Sequence, residues 1–445
     1  MTTHTVPGKT AKFVRGPIFA LQYADYLRQQ LLLMVETVPL PLQRWQRQLI
    51  ALAWISYAAY YLGRVNLSPA LPAMETDLGL SKEALGLLGT GFFWTYAIGQ
   101  VINGQLGDLI SPRRLVFFGM LASAAVNLAF GFSSSFALLL LLWGINGYCQ
   151  ATGWGPVLRT LSNWLSGAQR RRIATLFGTS YVLGNAAVLL FSGWLVNRWG
   201  WRAAFFVPAG LLALMACFWW FQVRDTPEER GYQRDWTLEP NALAAFNLRA
   251  VLAGMAGNFR RYWPLSLAGL FVGFCLIALN TWVPTYFVEE GGVAIDRAAA
   301  LAALSPIAGS LGVILSSGLV NRFFAGRELY GLVGTLAGLI LLFLAFPNLP
   351  AGLTLATLGL MVIGAFASAT SSLTLSTLPL VLGDRQNAST LAGLIGFSIN
   401  MGGGLSTLIV GGILDRFNWD AVFYALAACA LLALLLVTLA ATRRL

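Results

Sequence analysis

The chain has 445 residues, 57% hydrophobic and 11% charged, with a mean hydropathy of +0.69; soluble domains carry roughly 25% charged residues, so an ordinary soluble globule is excluded. Its net charge of +11 does not point to nucleic acid, because the basic residues, nearly all Arg, stand singly or in small groups between apolar stretches. Strand-type alternation is absent, which excludes a membrane barrel, and Cys149, Cys217, Cys275 and Cys429 all fall in apolar segments without metal-ligand spacing, as small buried hydrophobes do.

Residues 1–44 open with a polar stretch and continue, from Pro17 to Glu36, with Asp25, Arg28 and Glu36 among leucines and tyrosines. The apolar run 31–35 is too short for the core of a secretory signal. Two readings stand for this segment: an interfacial amphipathic helix, or an extension upstream of a start at Met34. Apolar stretches then recur at 47–73, 84–107, 113–132, 136–163, 171–197, 202–222, 262–288, 297–321, 328–347, 350–382, 386–414 and 419–442. Each is near the ~20 residues that a helix needs to cross a bilayer. The sequence therefore predicts an all-α membrane protein with twelve transmembrane helices. An even number puts both termini on one side. With that side cytoplasmic, 22 Lys and Arg residues lie inside and five outside, an asymmetry that predicts a multi-pass protein of the cell membrane with both termini in the cytoplasm.

The first span carries Tyr57-Ala-Ala-Tyr60-Tyr61-Leu-Gly-Arg64-Val-Asn66, and Arg64 is the one charged side chain between Arg47 and Glu75. A guanidinium inside a span costs at least ~2.5–3.5 kcal/mol on insertion scales, so it faces a partner or a wet cavity. The other reading is snorkelling toward the interface near Glu75, about 16 Å away at helical rise. Tyr57, Tyr60 and Tyr61 precede Arg64 by seven, four and three residues, spacings that bring all three to its side on an uninterrupted helix. More polar residues suit a central cavity: Tyr96 and Gln100 on span two; Asn146, Gln150 and Trp154 on span four; Tyr181 and Asn185 on span five; Asn280 and Thr281 on span seven; Asn400 on span eleven. Each amide equally suits an interhelical hydrogen bond, worth ~0.6 kcal/mol in membranes.

The longest polar connector, Val223 to Arg261, divides the chain into an N-terminal segment 1–44, a six-helix bundle 45–222, a cytoplasmic linker 223–261 and a second bundle 262–445. Related endings close spans two, five, eight and eleven: Gly104-Gln-Leu-Gly-Asp108, Gly193-Trp-Leu-Val-Asn197-Arg198, Gly318-Leu-Val-Asn321-Arg322 and Gly412-Ile-Leu-Asp415-Arg416. A three-helix unit repeated four times is how transporters built from nested inverted repeats are made, with substrate bound between the halves near the midplane.

Over residues 45–442 the sequence resembles the major facilitator superfamily. The run from Gly104 through Asp108 to Arg113-Arg114 looks like that superfamily's loop motif between spans two and three, which implies a gating contact for Gly104, Asp108, Arg113 and Arg114; a static loop ion pair is the other reading. More narrowly, the Tyr57–Asn66 stretch, the run Gly147-Tyr-Cys-Gln150-Ala-Thr-Gly153-Trp154-Gly-Pro156, and Ala392-Gly393 with Gly402-Gly403 and Asn418-Trp419-Asp420 resemble the organophosphate:phosphate antiporter branch. The resemblance implies two pseudo-symmetric six-helix bundles and a sugar phosphate or similar substrate. The chain departs from that branch in its cationic cradle. Leu276, six residues before Trp282-Val-Pro284-Thr-Tyr286, stands at the span-seven arginine position, Gln100 at the span-two lysine, Val65 after the first-span arginine and Tyr181 at the span-five histidine. Two arginines can clamp a phosphate from both halves by bidentate pairing, whereas one cannot close the site in the same way.

The expected function is a secondary transporter of a small organic anion, organophosphate-for-phosphate exchange first, working by alternating access around Arg64. A carrier of a monoanion or carboxylate and a transport-fold ligand sensor are the alternatives. The single histidine, His4, lies outside the spans and the carboxylates all lie in loops or at span ends, which favours exchange or uniport over proton symport. An enzyme is disfavoured, because the spans hold no conjunction of His, Cys or paired carboxylates and no phosphate-loop motif occurs. No cofactor or metal is implied. The partners are the anionic substrate and the lipid bilayer, without nucleic acid, and the expected unit is a monomer.

Overall fold

A computed structural model describes residues 40–232, 248–324, 328–350, 352–378 and 388–442. Every regular element among the described residues is helical, as a chain in lipid requires when each backbone N–H and C=O has to bond within its own segment. The helices are α1 (Leu40–Tyr60), α2 (Leu67–Leu78), α3 (Lys82–Leu109), α4 (Pro112–Phe132), α5 (Phe136–Gln150), α6 (Trp154–Trp164), α7 (Gly167–Trp199), α8 (Ala203–Gln222), α9 (Leu248–Glu289), α10 (Ile295–Phe323), α11 (Glu328–Ala345), α12 (Leu353–Ser372), α13 (Ala388–Leu414) and α14 (Trp419–Thr442). The chain divides into compact units 1–49 and 50–445; of the first, residues 40–49 are described and form the opening turns of α1. The rest of the predicted N-terminal segment, 1–39, and linker residues 233–247 lie outside the described residues.

Among the described residues, ten helices are long and apolar enough to cross a membrane. The two other predicted spans, 47–73 and 136–163, are each assembled from two shorter helices, α1 with α2 and α5 with α6. The first is interrupted by a 3-10 turn, Tyr61–Gly63, and residues 64–66; the second by residues 151–153. Counted this way the spans are twelve, in two six-span bundles, α1–α8 and α9–α14. α9 joins two helical stretches across a kink at Tyr262, with φ −112° and ψ 22°, and the predicted start of span seven at 262 falls at that kink.

Local chemistry sets several helix starts. Ser81 Oγ accepts from the Ala84 N–H at 3.1 Å, Ser111 Oγ from the Arg114 N–H at 3.2 Å, and Ser166 forms a reciprocal capping box with Gln169. Each satisfies an amide that the first turn leaves without a partner. Lipid is as apolar as the bundle interior, so packing and interhelical bonds hold the helices together. In the first bundle Phe130 joins α4 to α8 and α5, with ring centroids 4.4 Å from Phe205 and 5.0 Å from Trp143. In the second, Phe346 lies 4.3 Å from Phe423, and Tyr286 5.2 Å from Trp419. Such pairs add ~0.5–1.5 kcal/mol each beyond the area they bury.

The bundles are joined along α3 and α13, which run antiparallel. The Asp415 carboxylate, one residue past α13, accepts from the backbone N–H groups of Lys82 and Glu83 at 2.9 and 2.7 Å. Further along, Thr90 Oγ1 donates to the Gly404 carbonyl at 2.7 Å, Trp94 Nε1 to the Met401 carbonyl at 3.2 Å, and Asn400 Nδ2 to Gln100 Oε1 at 3.3 Å. Charged pairs cluster at the Lys82 end: Lys82 Nζ with Glu75 at 2.8 Å and Glu289 at 3.1 Å, and Arg416 with Glu83 at 3.0 Å. Gly86 permits this approach, because a Cβ there would stand 2.1 Å from the Thr407 carbonyl oxygen.

Candidate functional site

Arg64 lies in the interruption of span one. α1 tightens into the 3-10 turn at Tyr61–Gly63, Arg64 leaves helical geometry at φ −123° and ψ −49°, and α2 resumes at Leu67. The guanidinium is stacked on rings: its Cζ lies 4.3 Å from the centroid of Tyr96, 5.1 Å from Tyr61 and 5.9 Å from Phe92. Its Nε is buried and has no hydrogen-bond partner, and among the described residues no carboxylate pairs with it. Ring faces stabilise a cation by ~0.5–2 kcal/mol through their quadrupoles while leaving that donor open to an acceptor.

An aromatic wall surrounds this cation. Tyr57 lies 5.8 Å from Tyr61 and 5.0 Å from Trp154, Trp154 lies 5.2 Å from Phe177, and the exposed Tyr181 lies 5.6 Å from Tyr61. The Tyr96 hydroxyl accepts from Gln100 Nε2 at 3.2 Å, and Gln100 in turn accepts from Asn400. Of the residues expected from sequence, the structure thus brings together Tyr57, Tyr61, Arg64, Tyr96, Gln100, Trp154, Tyr181 and Asn400.

The others stand elsewhere. Tyr60 is fully buried and turned toward α4 and the span-four break, its hydroxyl 3.2 Å from the Val116 carbonyl and 3.0 Å from Thr152 Oγ1. The expected common side for all three tyrosines holds for a continuous helix, and the 3-10 turn changes the register. Gln150 is 1% exposed and donates to Ser123 Oγ at 2.9 Å, behind Arg64. Trp154 follows the break in span four, so it does not extend the face that Asn146 and Gln150 share. Asn280 and Thr281 contribute backbone carbonyls, which accept from Ser68 Oγ at 3.2 and 2.5 Å. Asn185 is buried one turn beyond Tyr181. Leu276 packs against the apolar core. Sequence reasoning misses Phe92, Ser123, Asn127 and Phe177; Phe92 lies four residues before Tyr96, the same spacing that pairs Tyr96 with Gln100.

Of the loop motif, Gly104 and Asp108 lie outside the residues described at side-chain level. Arg113 Nε donates to the Trp220 carbonyl at 2.9 Å and its Cζ sits 4.2 Å from the Trp220 ring, while its backbone N–H donates to Asp225 at 2.8 Å. Asp225 also accepts from the Ser111 hydroxyl. Arg113 therefore fastens α4 to the end of α8 inside one bundle, and Arg114 is exposed. Outside the spans, the Asp77 carboxyl is held below its ordinary range by the Trp201 indole N–H at 2.9 Å and by Arg202 at 2.6 Å.

The family profile described as the Major Facilitator Superfamily matches residues 53–407. A "Probable hexose phosphate transport protein" of Chlamydia trachomatis is 26% identical over 416 residues, 88% of this chain and 90% of that one. The glycerol-3-phosphate transporter of Bacillus subtilis is 28% identical over 418 residues, 89% of this chain and 92% of that one. Among solved structures, a bacterial homologue of the human lysosomal transporter Spinster, inward-facing and unoccupied, superimposes with a TM-score of 0.68 at 19% identity, over 88% of this chain and 94% of that one; this likeness concerns the fold. The two curated relatives bear out the resemblance to the organophosphate:phosphate antiporter branch. With a family profile matching most of its length and twelve spans in two bundles, the chain belongs to the Major Facilitator Superfamily.

Proposed function

We propose that the protein is an antiporter of the cell membrane that exchanges an organophosphate for inorganic phosphate, with Arg64 as the group that takes the phosphoryl oxygens. The observation that carries this reading is a guanidinium in the broken middle of span one, stacked on Tyr61 and Tyr96 with its Nε buried and open. Interrupted helices at the midplane are where transporters of this architecture bind substrate. The hexose phosphate and glycerol-3-phosphate relatives support the choice of cargo. Tyr57, Tyr61, Tyr96, Trp154 and Tyr181 wall the site, and Gln100 and Asn400 connect it to the second bundle.

The arginine distribution supports placing the Lys82 end outside and both termini in the cytoplasm. On that orientation the bonds from Asp415, Glu289 and Arg416 hold the outer face closed. Residues 45–222 and 262–445 then rock about Arg64, joined by the linker 223–261, in a monomer. The test is radiolabelled phosphate uptake into liposomes carrying the purified protein. Saturable uptake that requires internal phosphate or glycerol 3-phosphate, and that Arg64→Ala abolishes, is expected. Uptake indifferent to internal phosphate or to Arg64 would overturn the proposal.

A further inference from the structure

A group of buried, hydrogen-bonded side chains lies behind Arg64 and brackets it in sequence, with Asn66 Oδ1 and Gln150 Oε1 left without partners. The Gly63 carbonyl, immediately before Arg64, accepts from Asn146 Nδ2 at 2.6 Å. Asn146 Oδ1 accepts from Ser123 Oγ at 2.6 Å and from Asn127 Nδ2 at 3.3 Å. Ser123 Oγ also accepts from Gln150. On the far side of Arg64, Asn66 Nδ2 donates to Asn127 Oδ1 at 3.0 Å and to the Ala204 carbonyl at 2.9 Å. Asn66, Ser123, Asn127 and Asn146 are each 0% exposed, so none of them reaches a substrate in the cavity. A second clasp joins the two interruptions, Tyr60 hydroxyl to Thr152 Oγ1.

These bonds answer a backbone need. A break in a span releases carbonyls and amides that lipid cannot satisfy, and a neighbouring side chain has to take them. Here the carbonyl that Asn146 engages belongs to the residue whose peptide sets the course of Arg64. Gly63 presses directly on the group: a Cβ there would lie 2.8 Å from Gln150 Nε2, 2.9 Å from Ser123 Oγ and 3.0 Å from Asn127 Nδ2. A side chain at 63 has to displace these three side-chain ends from the positions they hold.

We infer that Asn146, held by Ser123 and Asn127, is the positioning residue for Arg64: it keeps span one interrupted at Gly63 and so aims the guanidinium at the anion. Both polar atoms of the Asn146 side chain are bonded, and a satisfied buried amide holds the backbone it engages more rigidly than a free one. Asn146 makes no contact with substrate and acts through the Gly63 peptide. This rests on Arg64 being the anion site.

The test has two arms on the full chain. In liposomes, Asn146→Ala raises the KM for inorganic phosphate about tenfold with turnover little changed, and in an Arg64→Lys background the same substitution adds nothing further. In detergent, with the four native cysteines replaced by alanine, Arg64→Cys reacts with a charged thiol reagent at a rate that Asn146→Ala changes severalfold. Thr370→Val, which removes a hydroxyl bonded to its own helix at Phe366, leaves that rate alone. Should Asn146→Ala not fold, Ser123→Ala removes one hydroxyl of the group and serves in both arms. Equal effects of Asn146→Ala with Arg64 present or replaced, or a labelling rate that neither substitution moves, would overturn the inference. If wild-type liposomes exchange no phosphate, the proposed cargo fails while the labelling arm still decides the role of Asn146.

Discussion

Asp415 accepts from the backbone N–H of Glu83 at 2.7 Å, across a sequence gap of 332 residues. With Lys82 N–H on its other oxygen, this carboxylate is an N-cap for α3 supplied by the opposite bundle. Caps of this kind contribute ~0.5–2 kcal/mol, and a negative charge at a helix N-terminus adds to that.

Asp415→Asn keeps the shape but loses the charge and one acceptor, so the Lys82 end should open more often. Labelling of a cysteine placed at Thr90, buried in the contact with Gly404, is expected to speed up about fivefold. An unchanged rate would show that the cap does not hold this face closed.

Arg64→Lys should retain charge yet lose the planar fork. Phosphate affinity is expected to fall about ten- to a hundredfold, and Arg64→Ala to eliminate exchange altogether. Counterflow kinetics in liposomes measure both.

Gly63→Ala forces a methyl into the Gln150, Ser123 and Asn127 contacts at 2.8–3.0 Å. Overpacking of this order costs ~1–3 kcal/mol, read as a lower unfolding temperature in detergent. The same contacts leave little room for any side chain at position 63.

Arg113→Ala removes the bond to the Trp220 carbonyl and the stacking on its ring. Because both partners sit in one bundle, stability should drop by about 1–2 kcal/mol while the balance between inner- and outer-open states, followed by the same Thr90 cysteine, stays put.

Asp77 gives a pH signature. Its carboxyl is held below the usual range by Trp201 and Arg202, so its contribution is present above the unfolded carboxyl pKa of ~3.9 and is lost as pH falls through the lower folded value. Asp77→Asn should flatten the acid limb of a stability profile in that window and leave the neutral-pH exchange rate unchanged.

Hydropathy alone locates the spans, because twenty apolar residues have few other uses in a chain this poor in charge. It cannot see the interruptions at Tyr61–Gly63 and 151–153, which depend on side chains from other helices. The helical spacing of Tyr57, Tyr60 and Tyr61 is correct arithmetic on a helix that ends at Tyr60, so Tyr60 turns to Val116 and Thr152. Arg64 is legible as a lone cation in an apolar run. Its supports, Ser123 and Asn127, read as ordinary polar residues of span three until the fold sets them against Gly63. Asp415 is visible in the repeat at the ends of spans two, five, eight and eleven, whereas its partner, the first turn of α3, offers backbone and no side-chain signal.

The stacking of Arg64 on rings rather than on a carboxylate has a bearing on how the empty carrier behaves. A carboxylate would neutralise the cation and let the vacant protein close around it; aromatic faces leave its full charge in place, and sealing a bare charge from water is expensive. An anion aboard removes that penalty. If the protein works as the exchanger proposed above, the vacant form is expected to cross more slowly than the loaded one, so that each crossing is tied to a passenger and net leakage down a gradient is suppressed.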